Sequence, residues 1–152
     1  MDTIKGPHSS RAVLLAEDNL DDALFFQRAF RAAGFENPLH VVRNGEEAMD
    51  YLRGRRQYSN REQFPMPHML ILDSVLDGAS GFSLLAAVRQ QPPLNQLVVI
   101  VLSGDGSPDE PEKAKQLGAN DYHKKPASYD ELKALLRQIG GFWLMGGPSA
   151  TA

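Results

Sequence analysis

An α/β fold is what the 152-residue sequence predicts, a doubly wound five-stranded parallel sheet in the strand order 2-1-3-4-5 with helices on both faces. Three observations carry that expectation. Two apolar runs, Met69-Leu70-Ile71-Leu72 and Leu97 to Leu102, are unbroken rather than alternating, as strands buried on both faces must be. A strand-like segment is followed by a helix-like one five times over. The strand-like segments end on polar residues, where open parallel sheets place their chemistry.

Each element has its own local reason. Ala12 to Ala16 is a short apolar run ending at Glu17-Asp18; Asn19 then suits a helix N-cap, and Asp21 and Asp22 fall in a first turn that favours negative charge. Leu24, Phe25, Ala29 and Phe30 recur at helical spacing up to Gly34, a stop signal. Pro38 to Val42 predicts the second strand, and Asn44 with Glu47 forms a capping pair for a helix that Gly54 ends. From Arg55 to Pro67 the chain is polar and without periodicity, which predicts a long surface loop whose Arg55, Arg56 and Arg61 are read as solvated in preference to gripping a partner.

The third strand runs through Leu72 to Asp73, and Phe82, Leu85, Ala86 and Val88 make the next helix, stopped before Pro92-Pro93. The fourth strand ends on Ser103. Ser107, Pro108 and Glu110 combine a cap, a proline at the first helical position and a capping-box acid, and Gly118 closes that helix. Ala119 to Tyr122 gives the fifth strand, followed by Lys124-Lys125-Pro126. Ser128 and Glu131 open the last helix, through Leu132, Leu135, Leu136 and Ile139. The expected organisation is a lead-in over 1–10 without fixed structure, one domain over 11–139, and an apolar tail over 140–152.

Composition narrows the function classes. Sixteen basic against nineteen acidic residues, a net charge of −3, leave no basic field for nucleic acid. The absence of cysteine removes disulfides, thiolate metal sites and thiol nucleophiles. Met1 to Ser10 lacks the apolar core of a secretory signal, and no apolar stretch approaches the roughly 20 residues of a membrane span, so a cytoplasmic setting is expected.

The chemistry lies at the strand ends. Glu17 and Asp18 from the first, Asp73 from the third, Ser103 from the fourth and Lys125 after the fifth would converge on one sheet edge. Taken singly each is ordinary, as a turn, a cap or a solvated charge; together they form a set. Two like charges about 4 Å apart repel by roughly 4 kcal/mol at an effective dielectric near 20, so three carboxylates need a counter-ion. Oxygen ligands without histidine or thiolate favour Mg²⁺. Metal, Lys125 and the Ser103 hydroxyl would then suit phosphoryl transfer onto Asp73.

On these residues the chain resembles a response-regulator receiver domain of two-component signalling, a CheY-like family with the flavodoxin-like (βα)₅ fold. The likeness spans about Arg11 to Ile139. It implies that Asp73 is the phosphoacceptor, with Gly81 at the customary spacing behind it, that Glu17, Asp18, Asp73 and the backbone carbonyl of Val75 bind Mg²⁺, and that Ser103 and Tyr122 are the switch residues. It further implies that Lys125 binds the phosphoryl group and that the Lys125–Pro126 bond is cis. Asp77 departs from the family pattern by standing where proline is common. Val75 and Asp105 lie where the family tunes the lifetime of the aspartyl phosphate.

By the same resemblance the protein takes phosphate from a sensor histidine kinase and signals through altered contacts, without being an enzyme beyond Mg²⁺-dependent self-phosphorylation and slow autodephosphorylation. No output domain is expected after the last helix. The long loop before the third strand and the aromatic tail resemble single-domain regulators that serve bacterial and cyanobacterial phytochromes, which implies a bacteriophytochrome kinase as partner and a homodimer through Phe142, Trp143 and Leu144. Two alternatives stay open: a phosphatase passing through an aspartyl phosphate, which would usually need an acid where Val75 stands, and a receiver-like scaffold that is never phosphorylated.

Overall fold

The computed structural model describes residues 8–104 and 106–146. Five parallel strands, β1 (Val13–Ala16), β2 (Leu39–Val42), β3 (Met69–Asp73), β6 (Val98–Ser103) and β7 (Asp121–Lys124), form one sheet in the order β2-β1-β3-β6-β7. With the small antiparallel pair β4 (Val75–Leu76) and β5 (Ala79–Ser80) set aside, this is the expected order of a flavodoxin-like sheet. The helices are α1 (Leu20–Ala32), α2 (Gly45–Arg53), α3 (Gly81–Arg89), α4 (Glu110–Gln116) and α5 (Tyr129–Ile139).

Side-chain alternation along the three central strands divides the core in two. Leu14, Leu70, Leu72, Val99 and Val101 face α2, α3 and α4, packing with Tyr51, Leu52, Phe82, Leu85 and Ala114. Val13, Leu15, Met69, Ile71, Ile100 and Leu102 face α1 and α5, packing with Phe26, Phe30, Leu132 and Leu136. The caps read from the sequence are in place: Asn19, Asn44 and Ser128 accept hydrogen bonds from the backbone N–H groups of Asp22, Glu47 and Glu131 at 2.9, 2.8 and 3.1 Å. Glu47 reaches back one residue further than expected, accepting from the Arg43 N–H.

Several expectations need correction. α4 begins at Glu110, with Pro111 rather than Pro108 in its first turn, and Ser107 supplies only its backbone carbonyl to the Glu110 N–H. β7 starts two residues late because the Asn120 side chain takes the Val99 N–H that a strand backbone would have taken. The polar stretch after α2 contains a 3-10 turn, Arg56–Tyr58, and is anchored rather than loose. Arg61 donates to the carbonyls of Tyr51, Leu52 and Phe64, while Arg55 and Arg56 pair with Asp50, so these arginines are engaged within the fold.

The tail is part of the domain. Gly140–Gly146 continues α5 as a π-helical turn, and Leu144 is completely buried in the α1–α5 half of the core. Leu144 is therefore corrected from an interface residue to a core residue; Trp143 is half-buried, and Phe142 remains 50% exposed. Gly140 is required at its place, since a Cβ there would come within 2.3 Å of the Phe35 ring. Met1 to Pro7 of the expected lead-in, Asp105, and the end of the tail from Gly147 lie outside the described residues.

Candidate functional site

Because β1 and β3 are adjacent and in register from Val13↔Met69 to Ala16↔Leu72, Glu17 just after β1 and Asp73 at the end of β3 emerge side by side. Leu102 of β6 is in register with Asp73, which sets Ser103 one step further along the neighbouring strand, and Ser103 is in turn in register with Lys124, just before Lys125. Carboxylate oxygens of Glu17, Asp18 and Asp73 all lie within 4.8 Å of one another. The convergence expected from the strand ends is therefore present.

Among the described residues one cation serves this cluster. Lys125 Nζ donates to Asp73 Oδ2 at 2.6 Å and to Glu17 Oε1 at 2.7 Å, and it lies 3.8 Å from Asp22 Oδ2. Burial works against the ammonium, but the hydrogen bonds to Asp73 and Glu17 outweigh it and hold the Lys125 pKa above its ordinary value. Glu17 is only 5% exposed; burial raises its carboxyl, and the bonds from Lys125 and the Asn19 N–H pull it back incompletely. Asp18, partly exposed, makes no hydrogen bond or ion pair among the described residues.

The donor set fits a hard divalent cation: three carboxylates, no histidine, no thiolate, and more negative charge than one ammonium balances. Val75 is in β4, 53% exposed, with its N–H donated to Asp73 Oδ1 at 3.2 Å. The sequence reads as a glycine-rich turn from Asp77 to Gly81, but not as the short antiparallel pair that frames it. Asp77 and Gly78 both have positive φ, 53° and 76°, and join β4 to β5 as a two-residue hairpin. The signal was available, since Asp-Gly is the dipeptide such turns favour. Behind it, a Cβ on Gly81 would lie 2.1 Å from the Asp73 carbonyl oxygen, so only glycine permits this approach.

Ser103 is fully buried, and its Oγ accepts from the Gly106 N–H at 3.2 Å and from the Ser74 hydroxyl at 3.0 Å; sequence reasoning had given Ser74 no part. Tyr122 is half-buried against the α2–α4 half of the core, and its hydroxyl donates to Glu110 Oε1 at 2.8 Å. The cis assignment at Lys125–Pro126 is corrected: among the described residues the cis bond joins Pro92 to Pro93. An X–Pro dipeptide prefers trans by only about 0.5–1 kcal/mol, so its isomer is set by surroundings that the dipeptide does not encode.

Next to the carboxylates a cavity of about 370 Å³ opens between α1 and the start of α5. Phe25, Phe26 and Leu132 line it together with Asp22, Asp73 and Lys125. Leu20 and Leu24 are exposed nearby on α1. No helix among the described residues is long and apolar enough to cross a membrane.

Response regulators are among the known proteins that this chain is similar to. FilR2 of Methanothrix harundinacea, described as a probable methanogenesis regulatory protein, is 33% identical over 132 residues, which cover 87% of this chain and 83% of that protein. The response regulator Rcp1 of Synechocystis sp. is 28% identical over 134 residues, covering 88% and 89%. Its Mn²⁺-bound crystal structure superimposes with a TM-score of 0.79 at 27% identity, covering 91% of this chain and 98% of that one. The phosphorylated cyanobacterial phytochrome response regulator RcpA does so with a TM-score of 0.81 at 30% identity, covering 91% and 96%. The family model described as response regulator receiver domain matches residues 13–137, and with the strand-end cluster in place the chain belongs to that family.

Proposed function

We propose that the protein accepts a phosphoryl group on Asp73 from a phosphohistidine of a sensor histidine kinase and signals by changing its protein contacts. The observation that carries this reading is the Lys125 ammonium drawn between Asp73 and Glu17, at 2.6 and 2.7 Å, within a group of acids it cannot neutralise alone. In the transfer, the P–N bond to the donor imidazole breaks as a P–O bond to Asp73 forms. The imidazole nitrogen leaves with the electron pair, and Asp73 needs no base because it attacks as the carboxylate. Mg²⁺ held by Glu17, Asp18, Asp73 and the Val75 carbonyl would neutralise charge on the phosphoryl oxygens.

The remaining residues have parts of their own. Lys125 shifts from pairing carboxylates to pairing a phosphoryl oxygen, and the Ser103 hydroxyl binds another. Tyr122, now hydrogen-bonded to Glu110, couples that movement to α4. The cavity beside Lys125 gives an imidazole a way in, and the exposed Leu20 and Leu24 offer a partner an apolar foothold. The likeness to the phytochrome response regulator RcpA supports a phytochrome kinase as donor, and the half-exposed Phe142 is where a second copy would be met.

The test is intact mass after incubation with acetyl phosphate and Mg²⁺. A gain of roughly 80 Da that is lost without Mg²⁺ and in Asp73→Asn is expected; no gain at any Mg²⁺ concentration would overturn the reading. Ser103→Ala should still gain the mass but lose any phosphorylation-dependent change in partner affinity.

A further inference from the structure

The Ser103 oxygen accepts two hydrogen bonds, from Ser74 and from Gly106, and a hydroxyl oxygen has two lone pairs to offer. Its acceptor capacity is full, and only its proton is left for another partner. Ser74, for its part, is tied on both sides of its backbone: its N–H donates to the Leu102 carbonyl at 3.1 Å, and its carbonyl accepts from the Gly81 N–H at 2.8 Å. It is 4% exposed. With its backbone held this way, Ser74 can follow a moving Ser103 only by turning its hydroxyl to another χ1 rotamer.

We propose that Ser74 is a positioning residue that latches Ser103 in its resting place, so that a phosphoryl group on Asp73 must displace the Ser74 hydrogen bond before Ser103 can turn to it. This rests on the reading of Asp73 as phosphoacceptor. The latch is weak enough to open. Ser74 lines a groove of about 320 Å³ between the β4–β5 hairpin and the start of α4, roomy enough for a water to take over the released hydroxyl. Its opening therefore costs about one net hydrogen bond rather than a stranded buried donor. Ser103 keeps the Gly106 N–H when Ser74 is truncated, so Ser74→Ala leaves no orphaned acceptor at rest.

The experiment is a double-mutant cycle on the affinity for beryllofluoride, a phosphoryl mimic, in excess Mg²⁺, with folding checked by circular dichroism. Ser74→Ala should bind the mimic about 2- to 10-fold more tightly than the natural protein, the worth of one net hydrogen bond. The gain should vanish in the Ser103→Ala background. Ser74→Cys, whose thiol is a poor donor, should show the same gain and serves if the alanine variant does not fold. Unchanged or weaker binding by folded Ser74 variants would overturn the latch, as would an equal gain without Ser103. If the natural protein itself binds no beryllofluoride, the phosphoacceptor reading fails and the latch falls with it.

Discussion

The two edges of the sheet are built on opposite terms. At the amino edge, where the helices end and the strands begin, cationic side chains close off backbone carbonyls. Arg11 donates to Leu144, Arg31 to Phe35 and Asn37, Arg61 to Tyr51 and Leu52, Arg89 to Leu97 and Gly118, and Arg137 to Ala33. These bonds gather carbonyls at helix ends and turns, some open and some, like that of Tyr51, already accepting from the backbone. At the carboxyl edge, Glu17, Asp18 and Asp73 cluster around one ammonium, and Glu17 is held above its ordinary pKa by burial. One edge is satisfied within the chain and the other has charge left over. The difference teaches where an external partner belongs: the phosphate and metal of the proposed function would be wanted only where the fold has not supplied their equivalents. Asn37 Oδ1, buried without a hydrogen-bond partner among the described residues, is an exception on the finished edge.

The comparison can be broken from either side. The largest effect is expected from Leu144→Ala, which opens a hole under the π-helical turn and should lower unfolding stability by about 2–5 kcal/mol, read from denaturant midpoints, while leaving the mass gain with acetyl phosphate intact. A loss of much less than that would mean that the tail is not part of the core. Gly81→Ala acts at the opposite edge. Its Cβ would meet the Asp73 carbonyl, so about 1–3 kcal/mol of stability should go together with most of the phosphorylation rate.

Asp18→Asn should do the reverse of both. It relieves like charge, so without divalent cations thermal stability should rise, by a few tenths to about 1 kcal/mol, while stabilisation by added Mg²⁺ disappears. If Asp18→Asn is destabilising in the presence of a chelator, the carboxyl edge is not frustrated. The smallest effect is a pH dependence at the finished edge. His68 accompanies Arg11 there, with its Nε2 3.2 Å from the Trp143 carbonyl; burial and then the Arg11 charge lower its pKa. The unfolded chain therefore takes up the proton first, so this contribution to stability is present above about pH 6.5 and lost as the pH falls through the lower folded value. His68→Gln should flatten that acid limb of the midpoint-against-pH curve, and an unchanged limb would contradict the assignment.

The contrast between edges also separates what was legible in the sequence from what was not. The acids, Ser103 and Lys125 could be read because strand ends in a parallel sheet converge whatever the detail of the turns, and because Asn19, Asn44 and Ser128 cap by local hydrogen bonds that spacing reveals. The partners of Arg11 and Arg89 could not, since a carbonyl acceptor 133 or 29 residues away leaves no mark in composition or periodicity. Arg61 sits in a stretch that reads as solvated because its three carbonyl partners are backbone. Leu144 looks like an exposed tail residue until α5 is seen to continue as a π turn over Phe35. Ser74 is the instructive omission at the site itself: one hydroxyl beside the acceptor is unremarkable until the register of β3 and β6 sets it against Ser103.

The central claim, that the excess charge at the carboxyl edge exists to place a phosphoryl group on Asp73, is tested most directly by trapping the product. Borohydride reduces an aspartyl phosphate to homoserine, and peptide mass mapping after acetyl phosphate and Mg²⁺ locates the reduced residue. Homoserine at position 73 and nowhere else is the predicted result. Reduction at Asp18 or at another acid, or none in a sample whose intact mass has risen, would contradict it.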